Sequence, residues 1–151
     1  MKIIFIDDEN IILEFYKCFM TGKEHFSVFE SNSKKALKTL TEEEFDIAVI
    51  DYKMPEISGV ELINKAREIG VSTEFIIVSC VVAYEDIRPL LTKEIAGFFS
   101  KPLDRDKFFD LIKIISDRTN KIKNTAGNIN TVASELTELI KDHNIKLFDP
   151  S

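Results

Sequence analysis

An α/β fold with a doubly wound, five-stranded parallel sheet and a helical extension at its C-terminal end is predicted by three features of the sequence. Five short runs are apolar almost without interruption, as strands are when both faces are buried. Each run is followed by a stretch of helical periodicity, long enough to carry the chain back and start the next strand parallel to the last. Several runs end abruptly in charged residues, as in "IIFIDDEN" at residues 3–10.

The runs are "KIIFI" (2–6), "FSVFE" (26–30), "DIAVI" (46–50), "EFIIVS" (74–79) and "GFFS" (97–100). After the first, "ILEFYKCFM" sets Ile12, Phe15, Tyr16 and Phe19 on one face of a helix. "SKKALKTL" starts a second helix with Ser33 as its expected cap and turns Ala36, Leu37 and Leu40 inward. "SGVELINKARE" carries Val60, Ile63 and Ala66 or Arg67 around a third. "YEDIRPLLTKEI" is a fourth, shortened by Pro89, and "DRDKFFDLIKIISDR" a strong fifth.

Composition narrows the class. At 151 residues, 44% hydrophobic and 30% charged, the chain fits one globular domain with an appendage. A net charge of -6 argues against direct nucleic-acid contact. The apolar runs are too short to span a bilayer, and the first residues do not form a signal peptide, so a cytoplasmic protein with no membrane contact is expected. Cys18 and Cys80 are too few for a disulfide scaffold and have no zinc-site spacing; both are expected to be buried, reduced thiols. His25 and His143 are expected at the surface or an edge, away from any site.

In an open parallel sheet the functional crevice lies beyond the carboxyl ends of the strands. The first strand delivers Asp7 and Asp8 there, the third Asp51, the fourth Ser79, and the fifth Lys101 followed by Pro102. Adjacent carboxylates repel and need a counter-charge. With no histidine or cysteine among them, they suit a hard, oxygen-loving cation such as Mg²⁺. A carboxylate held beside such a cation can attack phosphorus and form an acyl phosphate, while metal and ammonium neutralise the phosphoryl oxygens. A hydroxyl that bonds only the new oxygens can then drive a switch.

"IDDE", "IDYKMPEISGVEL", "VSC" and "GFFSKP" together resemble the CheY-like response-regulator receiver domain of two-component signalling, over about residues 1–118. The resemblance implies the flavodoxin-like strand order 2-1-3-4-5 and Asp51 as phosphoacceptor. It implies Mg²⁺ held by Asp7, Asp8, Asp51 and the backbone carbonyl of Lys53, with Ser79 as switch hydroxyl and Phe98 as switch aromatic. Lys101 becomes the phosphate-facing lysine, followed by a cis peptide to Pro102, and Gly59 takes a tight backbone position. The implied donor is a sensor histidine kinase or a histidine phosphotransfer protein, and the implied output is a change on the face made by the fourth helix, fifth strand and fifth helix. Lys53 and Val81 offer no acid or amide to orient water, so the phosphoryl group should leave slowly. The resemblance implies a phosphoacceptor rather than a turnover enzyme. A haloacid-dehalogenase-like phosphatase is a remote alternative: Asp51 is followed by Tyr52-Lys53 and lacks the second aspartate of a D-x-D motif.

Residues 119–151 are not needed by a receiver and read as a helical extension or linker. Phe108, Ile115, Ile122, Ile129 and Leu136 are spaced by seven, and Leu111, Arg118, Thr125, Val132 and Leu139 form the second set of a heptad seam. Two readings stand: a fifth helix continued into a parallel coiled coil that pairs two copies, or a break between Asn124 and Gly127. The ending "LFDPS" weakly resembles the entrance to a diguanylate cyclase domain, so the receiver portion of a longer regulator with an output domain is a further alternative.

Overall fold

The computed structural model describes residues 1–80, 88 and 95–142, with side chains described as far as residue 139. The chain falls into two compact units, Met1–Phe109 and Asp110–Ser151. The strands are β1 (Lys2–Ile6), β2 (Phe26–Glu30), β3 (Ile47–Asp51), β4 (Glu74–Ser79) and β5 (Gly97–Ser100). The helices are α1 (Asn10–Met20), α2 (Ser33–Glu42), α3 (Gly59–Glu68) and the long C-terminal α4 (Arg105–Asp142). Apart from residues 88 and 95, the fourth helical pattern of the sequence lies outside the described residues, as does Val81.

All strands are parallel, in the order β2-β1-β3-β4-β5. The register brings Ile6 level with Glu30 and Ile50, Asp51 with Val78, and Ser79 with Ser100. The residues that follow β1, β3, β4 and β5 therefore emerge at one edge. The apolar runs are continuous because both sheet faces are covered. Ile4, Ile6, Ala48, Ile50, Phe75 and Ile77 cluster with Ala36 and Leu40 of α2 and Leu62, Ile63 and Ala66 of α3. On the opposite face the Phe5 ring lies 4.9 Å from Tyr16 and 6.1 Å from Phe108, and Phe108 lies 5.4 Å from Phe19.

Local chemistry sets the helix starts and corrects several expectations. Asn32, not Ser33, caps α2, its side chain accepting from the Lys35 N–H at 2.9 Å. Ser33 is instead buried as the first helical residue. Ser58 caps α3 through the Glu61 N–H at 3.2 Å, with Glu61 in the favourable first turn. β3 begins one residue later than expected and ends on Asp51 itself. α1 buries Leu13, Tyr16, Phe19 and Met20, rotating Phe15 to 44% exposure, and α3 buries Leu62 as well as Ile63 and Ala66. Both cysteines are exposed: Cys18 faces outward two residues after the buried Tyr16, and Cys80 sits just past the end of β4.

The break near Asn124 to Gly127 is not found, and α4 runs through it. Glycine costs a helix only about 1 kcal/mol. The hydroxyls of Thr119, Thr125, Thr131, Ser134 and Thr137 donate to the carbonyls four residues back, so these polar side chains bond within the helix. Among the described residues no helix is long and apolar enough to cross a membrane.

Candidate functional site

The edge where the strands end holds a compact cluster of charge. The Lys101 ammonium donates to Asp7 Oδ2 at 2.7 Å and lies 3.1 Å from Asp51 Oδ1, with Glu9 Oε1 at 3.8 Å. Asp7 is 1% exposed, Asp51 7%, and the Lys101 side chain 9%. Asp8 is exposed, yet one oxygen from each of Asp7, Asp8 and Asp51 lies within 4.8 Å of the others. Three carboxylates against one ammonium leave an excess of negative charge, and the donors are all oxygens. The residues present therefore fit a hard divalent cation. The other Asp7 oxygen accepts the Glu9 N–H at 2.9 Å, which fixes the carboxylate at the turn into α1.

Burial pushes the Asp51 carboxyl up, the hydrogen bond from Lys101 pulls it down, and the Asp7 charge pushes it up again, leaving it at about 6. For Lys101, burial favours the neutral amine, but the hydrogen bonds and charges of Asp7 and Asp51 outweigh it and hold the ammonium above its ordinary range. The Tyr16 phenol is raised by burial and by the charges of Asp7 and Asp51, so it stays protonated beside the cluster.

The loop after β3 is tightly held. The Gly59 N–H donates to the Tyr52 carbonyl at 3.0 Å. A Cβ on Gly59 would collide with the backbone carbonyl of Asp51 and would stand 3.2 Å from Ile50 Cγ2 and Tyr52 Cα. Gly59→Ala should therefore cost about 2–4 kcal/mol in urea unfolding and disturb Asp51; an unchanged midpoint would show that the loop yields. Further along, the Ile57 N–H donates to the Pro55 carbonyl at 2.8 Å across Glu56, whose φ is 66°. This is a tight three-residue turn in a strained backbone region. The Ser33 hydroxyl braces it, donating to the Pro55 carbonyl at 2.9 Å and accepting from the Ile57 N–H at 3.3 Å.

The remaining expected residues fall around this edge. Ser79 ends β4, is buried, and accepts the Lys101 N–H on its carbonyl at 2.9 Å. The Lys101–Pro102 peptide is cis. Lys53, two residues past Asp51, has an exposed side chain. Phe98 on β5 is half-buried against the core cluster of the α2/α3 face. His25, just ahead of β2, lies at the opposite end of the strands.

Sequence reasoning missed three participants: Tyr16 and Glu9 near the cluster, and the Ser33 brace. The signal for Tyr16 was a lone phenol on the apolar face of a helix that opens right after the acids. Beside it, Ile11, Ile12, Phe15 and Tyr16 form with Lys101, Pro102 and Leu103 a groove of about 290 Å³ whose walls are almost wholly apolar.

The family model for the response regulator receiver domain matches residues 3–113. The sporulation initiation phosphotransferase F of Bacillus subtilis is 28% identical over 116 residues, covering 74% of this chain and 90% of that protein. The probable C4-dicarboxylate response regulator DctR of the same organism is 23% identical over 124 residues, covering 81% of this chain; the chain spans only about half of that relative, 55% of its length. Among solved structures, the receiver domain of the Francisella response regulator 1452 aligns with a TM-score of 0.71 at 25% identity, covering 78% of this chain and 98% of that one. A CheY-like receiver domain protein from Methanospirillum hungatei JF-1 aligns with a TM-score of 0.73 at 23% identity, covering 80% of this chain and 96% of that one.

Proposed function

The chain belongs to the response regulator receiver domain family, and on that premise we propose that Asp51 accepts a phosphoryl group from a histidine of a partner protein, with Mg²⁺ held by Asp7, Asp8, Asp51 and the Lys53 carbonyl. The observation that carries this is the Lys101 ammonium seated between Asp7 and Asp51, at 2.7 and 3.1 Å, within a trio of clustered carboxylates. An Asp51 oxygen forms the new bond to phosphorus as the phosphorus–nitrogen bond of the donor imidazole breaks. Lys101 neutralises charge on the transferred oxygens, and the metal supplies the rest when bound.

The receiver is proposed to extend over residues 1–118, with 119–151 as a helical extension, acting in the cytoplasm as an acceptor rather than a turnover enzyme. The partner is a histidine kinase or histidine phosphotransfer protein. The apolar groove beside Lys101, with Ile11 75% and Phe15 44% exposed at its rim, supports docking of an apolar helix that carries the donor histidine to the cluster. After transfer, Ser79 donates to a phosphoryl oxygen and Phe98 completes its burial, changing the face around β5.

Incubation with Mg²⁺ and acetyl phosphate or phosphoramidate is expected to add one phosphoryl group per chain by intact mass. Asp8→Ala should need far more Mg²⁺ for the same uptake. No uptake, or uptake indifferent to Mg²⁺ and to Asp8, would refute the assignment.

A further inference from the structure

Between Thr119 and Thr131, four asparagines, three threonines and one glycine fill eight of thirteen positions of α4. These residues form helices poorly, and a helix in water draws most of its stability from an apolar face packed against something. Such a face is present and open. Ile122, Ile129, Val132 and Leu136 are 63, 62, 54 and 54% exposed. They share one side of the helix, widened by Ala126 and Ala133, while Asn120, Lys123, Asn130 and Ser134 lie away from it.

We propose that a second copy of this chain covers this face, the two α4 helices packing parallel and in register as a two-stranded coiled coil along residues 122–136. Spacing is the first reason. Ile122, Ile129 and Leu136 recur every seven residues, with Thr125 and Val132 between them, whereas Ile115, one heptad earlier, is buried in the chain's own core. A strict repeat of seven keeps a seam in contact only with another helix wound on the same repeat, and an identical chain carries that repeat. Isoleucine at two successive positions of the first set, 122 and 129, is the choice of two-stranded parallel coils, and Leu139 in the second set matches it whereas Thr125 and Val132 do not, so sedimentation decides the number of strands.

Charge is the second reason. The flanks of the seam are Thr119, Ala126 and Ala133 on one side and Lys121, Asn128 and Glu135 on the other. In a parallel pair the flanks meet crosswise, so Lys121 faces Ala126 and Asn128 faces Ala133 of the other copy. No like charges oppose each other. Area is the third. The stretch from Ile122 to Leu136 is about 21 Å long at 1.5 Å per residue. Two such faces together bury on the order of 1,000 Å², near the lower limit for a specific interface. The pair is therefore weak and concentration-dependent.

Sedimentation of the full 151-residue chain over a range of concentrations is expected to show a monomer–dimer equilibrium, with helix content rising as the dimer forms. Ile129→Glu/Leu136→Glu should weaken association roughly a hundredfold. Asn120→Glu, on the opposite side, should leave it unchanged. With Cys18 and Cys80 replaced by serine, Leu136→Cys should oxidise to a linked dimer, because parallel registry sets the two copies of this position side by side; an antiparallel pair would set Leu136 against Thr125. A wild-type chain that stays monomeric, a double-glutamate variant that associates as well as wild type, or a dimer that Leu136→Cys cannot link would each overturn the proposal.

Discussion

Asp51→Asn is expected to take up no phosphoryl group from acetyl phosphate and, in EDTA at about pH 8, to melt several degrees above the wild-type chain. The first effect follows from the proposed chemistry, since an amide offers no anionic oxygen to phosphorus. The second follows from the electrostatics of the cluster in EDTA. Folding raises the Asp51 carboxyl from 3.8 to about 6, mainly by burial. A carboxyl raised in this way favours the folded state fully below its unfolded value, near pH 3.8, and that contribution is lost as the pH climbs through about 6. Above that range the wild-type chain holds a buried carboxylate at a cost of the order of 2 kcal/mol, which an amide of the same shape avoids. Lys101 keeps its bond to Asp7 in the variant, so no charge is stranded.

The advantage of Asp51→Asn should shrink toward zero below about pH 4, where the carboxyl is protonated in both states. It should also shrink when Mg²⁺ is added, because the cation stabilises the wild-type cluster more than the variant. Thermal unfolding of both chains across pH, with and without Mg²⁺, checks this. A variant less stable than wild type in EDTA at about pH 8 would mean that the Asp51–Lys101 contact outweighs the cost of burial.

The gathering of these residues at one edge was legible in the sequence because parallel strands buried on both faces leave so few choices. "KIIFI" and "EFIIVS" could only be central strands, and the residue after each had to emerge at the same edge. Asp7, Asp51, Ser79 and Lys101 could thus be brought together by counting along four runs. Helix faces were less legible. A window over α1 that contains isoleucine, leucine, phenylalanine and tyrosine allows a rotation of one residue at almost no change in pattern, so Phe15 was expected inside and Leu13 was overlooked. The Ser33 brace was hidden for another reason: Asn32 and Ser33 are both good caps, and only packing against the Pro55 turn, 22 residues on, decides which is used. Through 119–142, local propensity and the heptad pattern disagree. Asparagine, threonine and glycine argue for a break, the seven-residue spacing argues for a helix, and the pattern prevailed.

Lys101→Met should be the most damaging change at this edge. Methionine keeps most of the length of the side chain and removes its charge, leaving Asp7 and Asp51 buried at 1 and 7% exposure with no cation between them. Removing one partner of a buried ion pair typically costs about 3–5 kcal/mol, because the charges left behind have lost both water and their counter-ion. In EDTA near neutral pH the loss should be of that size in urea unfolding. The pH dependence then identifies the cause. Lys101 is the main influence holding the Asp51 carboxyl down, so its removal raises that carboxyl further above about 6. The favourable contribution of the protonated form is fully present below 3.8 and now persists to a higher pH before it is lost. The deficit of Lys101→Met should therefore be small in acid and grow steadily through neutrality. Mg²⁺ gives an independent check. If metal and ammonium are alternative counter-charges for the same carboxylates, saturating Mg²⁺ should stabilise Lys101→Met more than it stabilises wild type and recover much of the loss. Phosphoryl uptake in Mg²⁺ should be slowed rather than abolished, since the acceptor oxygen and the metal ligands remain. A deficit that is the same at every pH and untouched by Mg²⁺ would instead assign the loss to packing of the lysine stem against the apolar groove of Ile12, Tyr16 and Pro102.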